Sequence, residues 1–205
     1  MPHGHPIGVD IGLGKFLATS DGVLVKQPKF SQKMQSKLKS LQRRLSRKKK
    51  RSNNYEKQRI KVARMHHTIY NTRKDFHFKQ AHALCESADM IFMENLDFRI
   101  VAKGMLGKQM LDGGFGKFRS IVKYVCWKLG KFFAEVNSRD TSQECPECGA
   151  TVKKNLKVRV HDCHECGFTI DRDVASGLVI RNRGINQYRK SQIANLTSIS
   201  RCPPR

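Results

Sequence analysis

The first 30 residues alternate apolar and polar positions in the way that is typical of short β-strands. Ile7, Val9 and Ile11 alternate with small or polar residues, and two more apolar segments flank the Asp-Gly pair at 21–22. β-Branched residues in alternation favour strands, and Asp-Gly favours a tight hairpin. We therefore predict a three-stranded meander that carries Asp10 on its first strand.

The periodicity becomes helical between Ser31 and Gln80. Leu38, Leu41 and Leu45 recur at spacings of three and four, which predicts a helix with a narrow apolar stripe. Ser52 or Asn53 is suited to cap a second helix. We therefore predict a helical hairpin over residues 31–88.

The second half of the chain predicts two more strands and two more helices. A short apolar run at 90–93 indicates a buried strand that ends at Glu94, and a second strand is predicted at 132–136. Helical spacing over 118–129 predicts a helix that ends at Gly130, with Trp127 in the core. The glycine-rich stretch 96–116 predicts a loop. A last helix is predicted after Asp173, and the polar residues 184–205 predict a disordered basic tail.

Charge narrows the choice of partner. The 205 residues carry a formal net charge of +23, and the segment 31–80 holds 17 Lys and Arg against two acidic residues. Such an excess of charge opposes folding through self-repulsion and favours a polyanionic partner. The positions expected to contact the nucleic-acid backbone are Arg43, Arg44, Arg47, Lys48, Lys49, Lys50 and Arg51.

No apolar run approaches the roughly 18–20 residues that span a bilayer. The N-terminus also lacks the apolar core of a signal peptide. We therefore expect a cytoplasmic protein without a membrane partner. In that reducing compartment, paired cysteines favour metal binding over disulfides.

Two Cys-x-x-Cys pairs, each followed by glycine, predict a zinc ribbon over residues 140–170. Their four thiolates can complete a tetrahedral shell around Zn²⁺, which makes the site structural. His161 and His164 are alternative ligands, but four cysteines already fill the shell. The predicted ligands are Cys145, Cys148, Cys163 and Cys166.

Three carboxylates are candidates for a catalytic site: Asp10 on the first strand, Glu94 at the end of a buried strand and Asp173 at a helix start. Carboxylates brought together repel one another unless cations hold them, and two Mg²⁺ or Mn²⁺ ions would bind a scissile phosphate. Asp171 is placed to cap the helix, which leaves Asp173 in its first turn. The opening Asp-x-Gly and hairpin also resemble the phosphate loop of actin-like ATPases. Those proteins have a second lobe, and 205 residues are too few to include one.

Several segments closely resemble TnpB/OrfB-type transposon proteins, which are similar to ancestors of the type V CRISPR effectors. These segments are Ile7–Gly14, Leu41–Lys48, Met93–Leu96, Val136–Gly149 and Asp171–Asp173. The resemblance implies an α/β fold, an RNase H-like (RuvC) mixed sheet over residues 1–183, with the helical hairpin and the zinc ribbon as inserts. It also implies DNA cleavage directed by a guide RNA from the transposon, with Asp10, Glu94 and Asp173 as catalytic residues that bind Mg²⁺ or Mn²⁺.

Two departures from this family pattern leave a second hypothesis open. Ala175-Ser176-Gly177 replaces the usual Asn-Ala-Ala, and Gly177 weakens a helix by roughly 1 kcal/mol relative to alanine. The chain also begins at the first nuclease strand, so we expect it to lack the N-terminal wedge and recognition part, or to need a partner chain. The first hypothesis is a metal-dependent DNA endonuclease. The second is a catalytically silent or decayed nucleic-acid-binding transposon protein.

Overall fold

A mixed five-stranded sheet forms the centre of the computed structural model, which describes residues 4–98, 107–155 and 158–199. The spatial order is β3-β2-β1-β4-β5. The first three strands form the predicted antiparallel meander, whereas β4 and β5 run parallel to β1. The strands are β1 (Pro6–Ile11), β2 (Lys15–Thr19), β3 (Leu24–Lys26), β4 (Met90–Glu94) and β5 (Phe132–Val136).

Helices make the parallel connections, and a small ribbon precedes the last helix. The helices are α1 (Phe30–Ser46), α2 (Asn53–Ser87), α3 (Gly107–Gly113), α4 (Phe115–Lys128) and α5 (Arg172–Ile199). In the ribbon, β6 (Val160–Asp162) pairs antiparallel with β7 (Thr169–Asp171). In the ranges that the structure describes, no helix combines the length and apolarity needed to cross a bilayer.

Strand alternation gives the sheet two different faces. Ile7, Val9 and Met93 belong to the larger core, which α2 and α4 cover. Residues one position away point to the other face, which α5 covers. Because Val9 pairs with Met93 in a parallel register, the next residues along, Asp10 and Glu94, are neighbours on this second face.

The predicted helical hairpin is confirmed as α1 and α2. The Ser52 side chain accepts a hydrogen bond from the Tyr55 amide at 3.2 Å, which caps α2. The buried Gln58 side chain donates to the Leu41 carbonyl at 3.0 Å and joins the two helices. The hairpin therefore has a fixed turn at residues 47–52.

The loop prediction for residues 96–116 is wrong where the structure describes them beyond residue 106, because α3 and the start of α4 lie there. Residues 99–106 lie outside the described ranges. Gly114, with a φ of 63°, joins the two helices in the left-handed region that favours glycine. The rings of Phe115 and Phe118 then lie 5.4 and 4.9 Å from that of Phe16, so aromatic packing stabilises this segment.

The placement of Trp127 in the core is also wrong. Its side chain is 78% exposed, since α4 buries a stripe that includes Val122, Val125 and Cys126. Trp127 lies off that stripe. Helical periodicity correctly predicted α4, but the large apolar residue was assigned to the wrong side.

The predicted disorder from residue 184 is wrong through Ile199, because α5 continues to that residue. Ile185 and Tyr188 pack against the strands, and the Tyr188 ring lies 5.0 Å from that of Phe132. Residues 200–205 lie outside the described ranges. These two apolar side chains hold this part of α5 against the sheet.

Glycines allow α5 to lie directly on the sheet. A Cβ atom at Gly8 would lie 2.0 Å from the Gly177 carbonyl oxygen, and one at Gly177 would lie 2.8 Å from the Ser20 amide nitrogen. A Cβ atom at Gly184, seven residues further along α5, would lie 2.2 Å from the Phe92 ring. The helix therefore approaches β1 and β4 more closely than any other residue type would permit.

Gly177→Ala tests this contact, because helix propensity and packing predict opposite changes in the free energy of unfolding. Helix propensity alone would stabilise the variant by about 1 kcal/mol. We instead expect a net loss of about 1–3 kcal/mol in the free energy of unfolding, since overpacking outweighs propensity. Urea denaturation measures the change.

Gly12→Ala is the matched control, because a Cβ atom there would meet its nearest neighbour at an ordinary 3.7 Å. It should change the stability by less than Gly177→Ala does. A Gly177→Ala protein more stable than the wild type would contradict the close contact.

Candidate active site and metal centre

The four cysteines of the ribbon form a cluster that fits a zinc ion. All four Sγ atoms lie within 4.8 Å of one another. Cys145 and Cys166 are 3.7 Å apart, and Cys148 and Cys163 are 3.6 Å apart. A tetrahedron with Zn–S bonds of about 2.3 Å has edges of about 3.8 Å, so these separations suit four thiolates around one zinc ion.

The two halves of the cluster are built alike. Gly149 and Gly167 have φ values of 75° and 72°. Their amides donate to the carbonyls of Cys145 and Cys163 at 3.0 and 2.8 Å, which closes each turn around the thiolates. These turns explain why a glycine follows each Cys-x-x-Cys pair.

Histidine does not enter this cluster. Among the described residues, the only group of three or more potential ligands with mutually close atoms is the set of four cysteines. His161 is buried, and its Nδ1 contacts the Lys154 ammonium group instead. The alternative ligands considered from the sequence are therefore not needed.

The ribbon is attached to the start of α5. The Arg172 amide donates to the Arg159 carbonyl at 2.8 Å. The Arg172 guanidinium donates to the carbonyls of Asn155 and Val158 at 3.2 and 3.4 Å. The ribbon thus holds the helical turn in which Asp173 lies.

The three predicted carboxylates come from three elements that meet at one edge of the sheet. Asp10 lies near the end of β1, Glu94 ends the neighbouring β4, and Asp173 lies in the first turn of α5, which packs on β1. Burial raises the pKa of Asp10 to about 8, and the charges of Glu94 and Asp173 add to this increase. Asp10 therefore interacts electrostatically with both other carboxylates, although the oxygens of the three groups do not all lie within 4.8 Å of one another.

Hydrogen bonds hold Glu94 in place. The buried Thr141 hydroxyl donates to the Glu94 carboxylate, and Arg119 Nη1 donates to the Glu94 carbonyl at 3.2 Å. Burial raises the pKa of Glu94, while the Thr141 hydrogen bond and the positive charge of Arg183 oppose the increase. Among the residues that the structure describes, Glu94 is thus held by hydrogen bonds and not by an ion pair.

The two aspartates at the start of α5 have different surroundings. Asp171 Oδ1 accepts hydrogen bonds from the amides of Asp173 and Val174 at 3.0 and 3.4 Å, which is the geometry of a helix cap. Lys15 Nζ lies 2.8 Å from the Asp171 carboxylate and 3.5 Å from that of Asp173. Burial would raise the pKa of Asp171, but Lys15 and the amides outweigh it and hold that pKa below its ordinary value.

Sequence reasoning missed Lys15, Thr141 and Arg183. Arg183 on α5 donates to the carbonyls of Asn137 and Arg139 at 2.9 and 2.7 Å, and also pairs with a glutamate in the same segment. Arg183 thereby holds the loop that carries Thr141. Lys15 and Arg183 are two of 40 basic residues, so composition gave no signal that could select them.

The predicted nucleic-acid contacts lie at the end of α1 and in the turn that follows. All seven side chains are exposed. Within the described part of the chain, none of them forms an ion pair, so their charges remain available to phosphate groups. They are Arg43, Arg44, Arg47, Lys48, Lys49, Lys50 and Arg51.

We expect the purified protein to contain about one zinc ion per chain, because four thiolates complete one tetrahedral shell. Cys163→Ser should abolish the zinc content measured by elemental analysis. Cys85→Ala is the control, since Cys85 is buried between α2 and α4 and outside the cluster. A folded wild-type protein without metal and with four titratable ribbon thiols would contradict the assignment.

Asp10 should make stability depend on pH when no divalent cation is bound. A carboxyl group whose pKa is higher in the folded chain than in the unfolded chain stabilises the fold while it is protonated, and that stability is lost as the pH rises through the folded pKa. Asn resembles the protonated form. Between about pH 5.5 and pH 9, we expect the stability advantage of Asp10→Asn over the wild type to grow by at least about 2 kcal/mol, since one pKa unit corresponds to about 1.4 kcal/mol.

Urea denaturation of the zinc-loaded protein, in buffer freed of magnesium and of excess zinc, measures this advantage. Asp75→Asn, which removes an exposed carboxylate from α2, is the control for net charge. If Asp75→Asn gained the same pH-dependent advantage over the wild type as Asp10→Asn, the change in net charge would explain the gain. Added Mg²⁺ should stabilise the wild type more than Asp10→Asn.

Comparison with known proteins identifies two families along the chain. The OrfB_IS605 family model, described as "Probable transposase", matches residues 2–104, and the model of the Cas12f1-like TNB domain matches residues 115–180. "Putative RNA-guided DNA endonuclease InsQ" of Escherichia coli (strain K12) is 35% identical over 171 residues, which cover 75% of this chain and 42% of that protein. A "Putative RNA-guided DNA endonuclease" of Streptomyces pristinaespiralis is 31% identical over 211 residues, which cover 97% of this chain and 52% of that protein.

The fold is shared with Cas12f1, whose cryo-EM structure was determined in complex with sgRNA and target DNA. The two folds superpose with a TM-score of 0.61 at 17% sequence identity, over 86% of this chain and 49% of Cas12f1. The chain spans about half the length of the relatives that it matches. It has a RuvC-like mixed sheet with a helical insert and a four-cysteine ribbon, and it belongs to the TnpB/OrfB family of IS605-type transposon proteins.

Proposed function

We propose that this chain carries the catalytic site of a metal-dependent DNA endonuclease that an RNA guides to its target. The observation that supports this proposal most is the meeting of Asp10, Glu94 and Asp173 at one sheet edge, from three elements far apart in sequence. A protein gains no stability from such an arrangement, since each carboxylate raises the pKa of Asp10. A functional role explains the clustering of these carboxylates more simply than a stabilising role does.

The three carboxylates offer the oxygen ligands that Mg²⁺ or Mn²⁺ prefers. When bound, such ions activate a water molecule and stabilise the leaving oxygen of a scissile phosphate. The chain itself positions the ligands: Thr141 and Arg119 orient Glu94, and the Asp171 cap fixes the turn that carries Asp173. Lys15 lies beside this turn and can hold a phosphate oxygen of a bound strand.

DNA and a guide RNA are the partners that this proposal requires. The exposed basic turn between α1 and α2 offers seven charges for phosphate contacts. Such contacts supply affinity that falls with salt but little base specificity. Sequence choice would then come from base pairing with the guide, as the names of the two relatives indicate for those proteins.

One observation favours the second hypothesis, a catalytically silent nucleic-acid-binding protein. The Lys15 ammonium group lies 2.8 Å from Asp171 and 3.5 Å from Asp173, where it partly neutralises the carboxylates. A cation must compete with this lysine for Asp173. Cleavage and binding therefore have to be measured separately.

The decisive experiment incubates the purified protein with labelled single-stranded DNA and Mg²⁺ or Mn²⁺. We expect metal-dependent cleavage that Asp10→Ala abolishes, because this variant removes one of the three carboxylates that would hold the metal ions. Asp75→Ala, which removes an exposed carboxylate that pairs with Lys79, should cleave like the wild type. Salt-sensitive DNA binding without cleavage under either metal, also after addition of a guide RNA that pairs with the DNA, would support the silent protein instead.

A further inference from the structure

An exposed aromatic surface lies at the end of α4. Tyr124, Trp127 and Leu129 are 49%, 78% and 44% exposed, and the Tyr124 and Trp127 rings lie 6.1 Å apart. We call the rings of Tyr124 and Trp127 the α4 aromatic surface, with Leu129 as its apolar neighbour. Trp127 is the only tryptophan of the chain. A large apolar side chain this exposed, beside a second exposed ring, is typical of a binding surface.

The surface is remote from the carboxylates. α4 covers the face of the sheet opposite to α5, and its last residue lies just before the start of β5. The carboxylates lie at the other ends of the parallel strands, near the Glu94–Val136 pair that ends β4 and β5. A strand of this length spans about 16 Å, so the two places are at opposite ends and on opposite faces of the sheet.

Lysines lie beside this surface. Lys123 and Lys128 are exposed on α4, next to the two rings. Behind Tyr124, the Phe78 ring lies 6.5 Å away in an edge-on arrangement, and Lys74 lies 5.9 Å above Phe78. Flat rings interleaved with lysines offer stacking for bases and counter-charge for phosphates.

Charge and size favour a nucleic acid over a second protein chain. A second copy of this chain would bring another +23 against the same surface. Three exposed residues also form a small apolar area, whereas a stable protein interface buries about 800 Å² on each partner. Within nucleic acids, only unpaired bases expose the faces that can stack on a ring, since a duplex encloses them.

We propose that the α4 aromatic surface binds single-stranded nucleic acid by stacking unpaired bases on Trp127 and Tyr124. This binding does not require the carboxylates to be catalytic. Either proposal, the stacking surface or the endonuclease activity, can therefore fail without the other. It assigns to the chain a second nucleic-acid contact, apart from both the basic turn and the sheet edge.

The single tryptophan makes the test direct, because all tryptophan emission comes from Trp127. The Asp10→Ala protein is titrated with a thymidine homopolymer of about 20 nucleotides, because this variant leaves the DNA uncleaved. This length exceeds the roughly 4–16 nucleotides that one single-strand-binding fold covers. We expect the emission to be strongly quenched by the single strand and much less by a duplex of equal length.

Variants then separate stacking from charge. Anisotropy of the labelled homopolymer should show binding about 5- to 100-fold weaker for Trp127→Ala, the range for loss of one stacked base. Trp127→Phe keeps a ring and should recover most of that affinity. Leu129→Ala removes a neighbouring apolar side chain without a ring and should bind nearly as well as the parent. Because Trp127 is exposed, circular dichroism should show that all three variants fold.

Three results would overturn the proposal. The first is unchanged emission at saturation together with unchanged affinity of Trp127→Ala. The second is equal quenching by single strand and duplex. The third is an emission shift that depends on protein concentration alone and accompanies a dimer in sedimentation, which would assign the surface to a second copy of the chain.

Discussion

The contact between α5 and β1 is the constraint on which the rest of the candidate site depends. Gly8 and Gly177 let the helix lie against the strand without an intervening side chain. Asp173 lies one turn before Gly177, and Asp10 lies two residues after Gly8 on the same face of β1. A side chain at either glycine would push the helix away and would separate the two carboxylates. The low helix propensity of Gly177 is therefore compatible with its position, because packing there requires the absence of a Cβ atom.

The zinc ribbon and the helix cap act on the same turn. Arg172 binds ribbon carbonyls, and Asp171 accepts the first free amides of α5. The position of Asp173 is thus fixed from two sides, by the glycine contact above it and by the ribbon below it. This arrangement gives the ribbon a place beside the site although no cysteine belongs to it, since the ribbon contacts the turn that carries Asp173.

Local patterns were sufficient for elements whose information lies in a few neighbouring residues. Alternation predicted the meander, a cap residue predicted the start of α2, and Cys-x-x-Cys-Gly predicted the ribbon together with its turns. Predictions that depended on a distant partner were less successful. The end of α5 depends on the Tyr188 and Phe132 rings meeting, and the exposure of Trp127 depends on which stripe of α4 faces the sheet.

The candidate site shows the same difference between what the chain order predicts and what only distant contacts decide. The order of Asp10, Glu94 and Asp173 along the predicted elements was enough to propose that they meet, because in an RNase H-like sheet such positions converge at one edge. The side chains that orient them were not predictable, since Lys15, Thr141 and Arg183 belong to residue types that are common on any surface. Only the folded chain distinguishes an arginine that holds the loop of Thr141 from the many basic residues that face solvent.

The positive charge of this chain is not distributed as one uniform surface, and its parts can have separate roles. The turn between α1 and α2 offers cations alone, which suits a phosphate backbone of any sequence. The α4 aromatic surface adds rings to its lysines, which suits unpaired bases. At the sheet edge, Lys15 lies among carboxylates, where it lowers the repulsion between groups that would otherwise oppose folding. A strand that contacts both the α4 aromatic surface and the sheet edge must therefore pass from one end of the parallel strands to the other.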